Sequence, residues 1–259
     1  MACGRPCGTA GQSLWHTRWS LIEAARTLDP ARRQEVMGLI YELYRRPVYA
    51  YLRREGRSHE DAEDIAQSFF MKVVLGREIV QKADPAKGRF RSFLQTALAR
   101  FLKSWHKQTS AKKRKPAGGL VPLDAQEDAW WSELSDSVTP EAAFAHAWAA
   151  QLLDEVLAVV ETSCRQDGLD SHWEVFRRTV VEPALRGAEP PTMAELAAEL
   201  NLPGPVQASN MNVTVKRRFR LALRDRVSQS VGSREDTDAE IRDLIDMLST
   251  RSDWVQSDE

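Results

Sequence analysis

Gln207, Asn210 and Thr214 recur at spacings of three and four residues, and Lys216, Arg217, Arg218 and Arg220 follow directly. An amide side chain can bond a base edge bidentately, and Lys and Arg also reach phosphates. Ala208, Met211, Val215, Phe219 and Ala222 repeat at the same spacings, offset from the polar set. A helix so divided buries one side and presents the other to a nucleic acid. The plainer reading is a helical hairpin with a solvated basic face. A second cationic stretch holds Arg100, Lys103, Lys107, Lys112, Lys113, Arg114 and Lys115, with no acid before Pro116. Phe101, Trp105 and His106 lie among these cations, a mixture suited to phosphate contact and stacking on unpaired bases. Equally, Phe101 and Trp105 can be core and the Lys run a solvated linker.

Nothing in the chain asks for catalysis. His16, His59, His106, His146 and His172 are scattered, and none neighbours a Ser or Cys nucleophile motif. No glycine loop of the kind that cradles phosphates occurs. Cys3 and Cys7 lie near His16 but lack a fourth ligand at a convincing spacing, so no metal site is expected. No cofactor is expected. Three cysteines make no disulfide framework and suit a reducing compartment. No apolar run reads as a signal-peptide core or a membrane span, so the expectation is a cytoplasmic protein with no membrane partner.

The elements that must position these residues read as helices. The 259 residues are 42% hydrophobic and 28% charged, with a net charge of −1 that hides the two basic stretches. Apolar residues return every three or four positions and alternating β-branched runs are few, so the fold class is all-α. The chain is expected to form two helical domains joined by a flexible linker: a disordered start over 1–13, a helical bundle over 14–108, a linker over 109–138, a helix-turn-helix domain over 139–232, and an acidic tail over 233–259.

Ser20 caps a short helix to Thr27. Asp29-Pro30 opens the next, with Val36, Leu39, Ile40, Leu43 and Tyr44 on one face. Pro47 should interrupt it, and Val48–Arg54 should resume to Gly56. Ser58 caps a helix over Glu60–Leu75, in which Phe69-Phe70 and Val73-Val74 cover too wide an arc for one core face. Either that helix is buried on two sides or part of it serves a partner. Phe90 to about Lys107 is one helix, and Phe144, Trp148, Leu152, Val156, Val159 and Val160 line another that begins near Thr139-Pro140-Glu141. Thr192-Met193-Ala194-Glu195 is a capping box opening the short helix Met193–Leu200. Asn201-Leu202-Pro203-Gly204-Pro205 is a tight turn before a helix from Val206 to about Ser228.

Arg234–Glu259 carries nine acids and three Arg, a charge of −6. Lys216–Arg226 carries six cations and one acid, a charge of +5. The simplest expectation is a solvated tail. The alternative is a tail that folds back through Ile241, Leu244, Ile245 and Leu248 onto the basic helix.

Glu60-Asp61-Ala62-Glu63-Asp64-Ile65-Ala66-Gln67-Ser68-Phe69-Phe70 resembles the core-polymerase-binding helix of bacterial sigma factors of the extracytoplasmic-function type. Phe90-Arg91-Ser92-Phe93-Leu94-Gln95-Thr96-Ala97-Leu98 resembles the start of that family's promoter-melting helix. Thr17-Arg18-Trp19-Ser20-Leu21-Ile22 and Asp84-Pro85-Ala86-Lys87-Gly88-Arg89-Phe90-Arg91 look like a subgroup from bacteria with many sigma factors. The helix-turn-helix resembles the family's fourth region, and the acidic tail is an addition to its two-domain plan.

The resemblance implies a sigma factor of the sigma-70 family that directs promoter recognition and transcription initiation. Its implied partners are promoter DNA and core RNA polymerase, through the clamp of the β′ subunit and the flap of the β subunit, with room for an anti-sigma factor or other regulator. Asp61, Asp64, Ile65, Gln67, Ser68, Phe70 and Met71 would meet polymerase. Arg100, Lys103, Trp105 and Lys107 would act at the minus-ten element, and Gln207–Arg220 at the minus-thirty-five element. Two other readings fit the residues alone. One is a two-domain helix-turn-helix transcriptional regulator that does not bind polymerase. The other is a helical adaptor that binds only proteins.

Overall fold

A computed structural model describes residues 30–74, 84, 89–109, 138–229, 231 and 234–255. Met1–Ser13, the Thr17–Ile22 motif, the Ser20–Thr27 helix, Cys3, Cys7 and His16, the Lys112–Lys115 run and most of the linker lie outside these residues. The described residues form helices and no strand, which establishes the all-α class. The chain divides into two compact units, Met1–Ala149 with Val227–Glu259, and Ala150–Arg226.

The first unit is built on α1 (Pro30–Arg54), α2 (His59–Phe69) and α3 (Phe90–Thr109). Ile40, Tyr44, Val48, Leu52, Ile65, Phe69, Leu94 and Leu98 are buried in it. Aromatic rings tie the helices together edge to face: Tyr44 meets Phe90 at 5.3 Å and Phe69 meets Phe101 at 5.5 Å between centroids. Pro47 does not interrupt α1, contrary to the sequence expectation. Proline removes one helical hydrogen bond, but Val48, Tyr49, Ala50 and Leu52 just beyond it are wholly buried, and that packing carries the helix through.

The end of α1 is fixed locally. Gly56 takes φ +80°, its N–H bonds the Arg53 carbonyl at 3.0 Å, and Arg57 N–H bonds the Leu52 carbonyl at 3.2 Å. This paired closure needs a left-handed residue, which glycine supplies. Ser58 Oγ then accepts from Asp61 N–H at 3.1 Å, the N-cap expected from the sequence.

The Phe69-Phe70 puzzle resolves as burial on two sides. Phe69 and Phe70 are both in the core, and so is Val74. From Phe70 to Val74 the backbone widens to a π-helical turn. The extra residue per turn shifts the register, so consecutive side chains reach interior positions that a regular helix would split.

The start of α4 (Pro140–Gln166) also packs in this unit, with Ala143 and Ala147 against Ala50 and Val138. Arg54 Nε donates to the Val138 carbonyl at 2.7 Å, and Tyr51 donates to Glu141 at 3.2 Å. Burial and the Glu141 carboxylate push the Tyr51 phenol up to about 12. By length and composition α4 is apolar enough to cross a membrane, which the sequence reading did not anticipate. Half of its apolar window is buried within the protein, and Phe144, Trp148, Leu152, Val156 and Val160 are core residues. That is the pattern of a core helix. Val159, expected in the stripe, stands exposed.

The second unit contains the rest of α4 with α5 (Asp170–Phe176), a π-helical turn Arg177–Val181, α6 (Glu182–Arg186), α7 (Met193–Glu199) and most of α8 (Pro205–Ser228). Val175, Leu196 and Met211 form its central cluster, flanked by Met193, Leu200 and Leu202. Phe176 and Phe219 stack obliquely at 5.9 Å. The last helix, α9 (Arg234–Val255), belongs to the first unit.

Candidate nucleic-acid interface

In the second unit, the turn between α7 and α8 is set by local chemistry. The expected capping box is present: Thr192 Oγ1 accepts from Glu195 N–H at 3.2 Å, and Glu195 accepts from Thr192 N–H at 2.7 Å. Those bonds hold the Glu195 carboxyl below its usual range. At the far end of α7, Asn201 takes φ +53°, and Leu202 N–H reaches back to the Ala197 carbonyl at 2.8 Å. Asparagine is the commonest substitute for glycine in this closure. Pro205 then begins α8, where its missing N–H costs nothing.

The face of α8 is as the apolar spacing required. Ala208, Met211 and Val215 are buried, and Asn212 is buried beside them. Gln207, Asn210, Thr214, Arg217 and Arg220 are exposed, and Lys216 is half-buried. Arg218 has turned inward: its guanidinium donates to Asp167 at 2.6 Å and to Ser163 at 3.0 Å. It braces α8 to α4. The same Arg218, with burial as the larger cause, lowers the pKa of His172, while burial raises the Cys164 thiol. Arg226 likewise pairs with Glu155, through Nε at 2.9 Å. Arg217 and Arg220 make no ion pair among the described residues.

In the first unit, α3 carries a separate stripe. Ser92, Thr96, Arg100, Lys103 and Lys107 are all exposed, at spacings of four, four, three and four. Their positions put hydroxyls at the helix start and cations further along one face. Trp105 is half-buried on the neighbouring face. Its ring lies 5.6 Å from Phe101, and Lys72 Nζ sits 4.9 Å from its centroid. Phe101 itself is core. Arg57 donates to His106 Nε2 at 2.6 Å, which makes that nitrogen an acceptor.

Along α2 and the π-helical turn that continues it, Glu60, Asp61, Asp64 and Met71 are exposed, and Gln67 and Ser68 are half-buried between them. These residues form one continuous strip. Ile65 and Phe70, expected in the same surface, are buried in the unit's own core. They hold the strip in place from beneath.

The leading cations of α3 are engaged by a partner that the sequence reading did not anticipate. Glu240 of α9 accepts from Arg89 Nε at 2.7 Å and from Arg91 Nε at 2.9 Å, and Asp243 pairs with Arg89 as well. Glu240 is 1% exposed and the Arg91 side chain 13%. The Arg91 guanidinium also lies over Trp148, 4.9 Å from the ring centroid. The tail is therefore helical rather than solvated over α9, and Glu240 and Asp243 meet Arg89 and Arg91. Of the expected stripe Ile241, Leu244, Ile245 and Leu248, Leu244 is buried, Ile241 and Leu248 are half-buried and Ile245 is exposed, while Thr237 and Glu240 are buried alongside Leu244. The missed signal was the spacing of Thr237, Glu240 and Leu244, which places an acid within a buried face.

Residues 40–112 match the family model of sigma-70 region 2. The matched stretch contains most of α1 and all of α2 and α3. Neither a search of curated proteins nor one of solved structures returned a match. The chain thus carries a region similar to sigma-70 region 2 within an all-helical protein. This region includes both the α2 strip and the cationic stripe of α3.

Proposed function

We propose that the chain is a sigma factor of the extracytoplasmic-function type, which binds core RNA polymerase and directs it to promoters. The observation that carries this reading is the coincidence of the region 2 match with two open surfaces on α2 and α3. Asp61, Asp64, Gln67, Ser68 and Met71 would bind the clamp of the β′ subunit. Arg100, Lys103 and Lys107 would hold the phosphates of the minus-ten element, with Trp105 at their edge. In the second unit, Gln207, Asn210 and Thr214 would read the minus-thirty-five element, while Lys216, Arg217 and Arg220 supply phosphate contacts. Melting would draw on the capture of unpaired bases at the protein surface rather than on catalysis.

The test begins with polymerase. Asp64→Ala combined with Gln67→Ala should weaken capture by purified core polymerase and lower run-off transcription, with helix content by circular dichroism unchanged. Undiminished capture would remove the α2 strip from the interface. Promoter-selective DNA binding without any polymerase capture by the unaltered chain would favour a regulator that works alone.

A further inference from the structure

The three most exposed large hydrophobic residues among those described all lie on α8: Val206 at 73%, Val213 at 64% and Leu221 at 62%. At about 100° per residue, Val206, Asn210, Val213 and Arg217 fall within roughly 60° of one another around the helix. Core packing does not explain the two valines, because Ala208, Met211 and Val215 already fill the buried side. Helix propensity does not explain them either. A β-branched residue loses rotamer freedom on a helix, and an exposed position is better filled by Ala, Glu or Lys. Single exposed apolar groups are ordinary, but two valines aligned along the centre of a polar face form an apolar strip open to a partner.

The occupant is selected by charge. From Pro205 to Arg224 the chain has five cations and no acid. Asn210 lies between the valines, Gln207 and Thr214 flank them, and Arg217 and Arg220 are exposed one and two turns on. A surface of this kind meets a polyanion whose edges offer both hydrogen-bonding groups and an apolar group. The major groove of DNA has one such apolar group, the C5 methyl of thymine. We infer that Val206 and Val213 are specificity residues that seat on thymine methyls on either side of the base read by Asn210. This rests on the reading of α8 as a recognition helix and adds the base identity that its apolar residues would require.

Thymine and uracil differ at that methyl alone, which gives a direct test. Duplexes are selected from a randomised pool by the full chain, alone and with core polymerase. Each thymine in the selected site is then replaced singly by deoxyuridine. The unaltered chain should lose about fourfold in affinity at one or two positions, the factor that burial of one methyl group corresponds to. Val213→Ala should abolish that penalty at one position and Val206→Ala at another, with circular dichroism unchanged. Asn210→Ala should relax preference at a different base pair and keep the uracil penalty. If uracil-substituted sites bind the unaltered chain as well as thymine sites do, or if the penalty survives both valine variants, the inference is overturned while α8 remains a reader of bases. If no duplex is selected under either condition, the recognition helix itself is rejected, and the inference with it.

Discussion

Two arginine-rich helix segments of this protein have opposite fates. At the start of α3, Arg89 and Arg91 are held by Glu240 and Asp243 of α9, and Arg91 also lies against Trp148. Along α8, Arg217 and Arg220 stand in solvent. Composition does not distinguish the two segments. What differs is whether an acid from a distant part of the chain arrives within a buried face. A cation that is buried and paired is a structural element whose worth is the cost of stranding it. A cation left open contributes little to folding and is available to a polyanion.

The sharpest way to break this contrast is Glu240→Ala. The change leaves Arg91, 13% exposed, with the longer contact to Asp243 at 3.7 Å in place of its close carboxylate. Removing one partner of a buried pair costs about 3–5 kcal/mol, because the remaining charge is desolvated and loses its closest counter-charge, which Asp243 at 41% exposure replaces only weakly. Urea unfolding of the full chain, followed by circular dichroism, should register a loss of that size. A loss under about 1 kcal/mol would place the contact with ordinary surface pairs, and the contrast with α8 would fail.

Arg218 gives an intermediate case. It pairs with Asp167, but the two side chains are 31% and 54% exposed. Water and salt screen such a pair, so Arg218→Ala should cost only about 0.5–1 kcal/mol by the same measurement. The loss should shrink further in 1 M salt, where Glu240→Ala keeps most of its effect. Equal salt sensitivity of the two variants would mean that burial does not separate them.

Much of this architecture was readable before the structure, and the exceptions have physical causes. Local signals held: Ser58 and the Thr192–Glu195 box cap their helices, and the three- and four-residue spacing of Ala208, Met211 and Val215 fixed which side of α8 is buried. Each depends only on residues a turn or two apart. The failures involve long-range packing or a local change of helical period. Pro47 was expected to break α1, and burial of the residues beyond it overrode that local preference. The π-helical turn at Phe70 has no signature in hydrophobic spacing, because it alters the period on which that spacing depends. The partners of Arg89 and Arg91 lie about 150 residues away along the chain, so neither charge count nor periodicity could join them. In the candidate interface the polar face of α8 was legible, whereas the inward turn of Arg218 was not, since it depends on Asp167 of another element.

The smallest expected effect on stability is the one with the greatest bearing on function. Arg220 is exposed and makes no ion pair among the described residues. Arg220→Ala removes no buried contact and leaves helix propensity almost unchanged, so unfolding free energy should move by less than about 0.5 kcal/mol. DNA binding should respond differently. A phosphate contact releases close to one counterion, so its loss should weaken binding to all sequences alike and flatten the slope of log K against log salt by about one unit. Asn210→Ala should instead alter preference at one base pair and leave that slope in place. An unchanged salt slope in Arg220→Ala would mean that the open end of α8 does not meet the phosphate backbone. Exposure alone would then be insufficient to tell a binding cation from a solvated one.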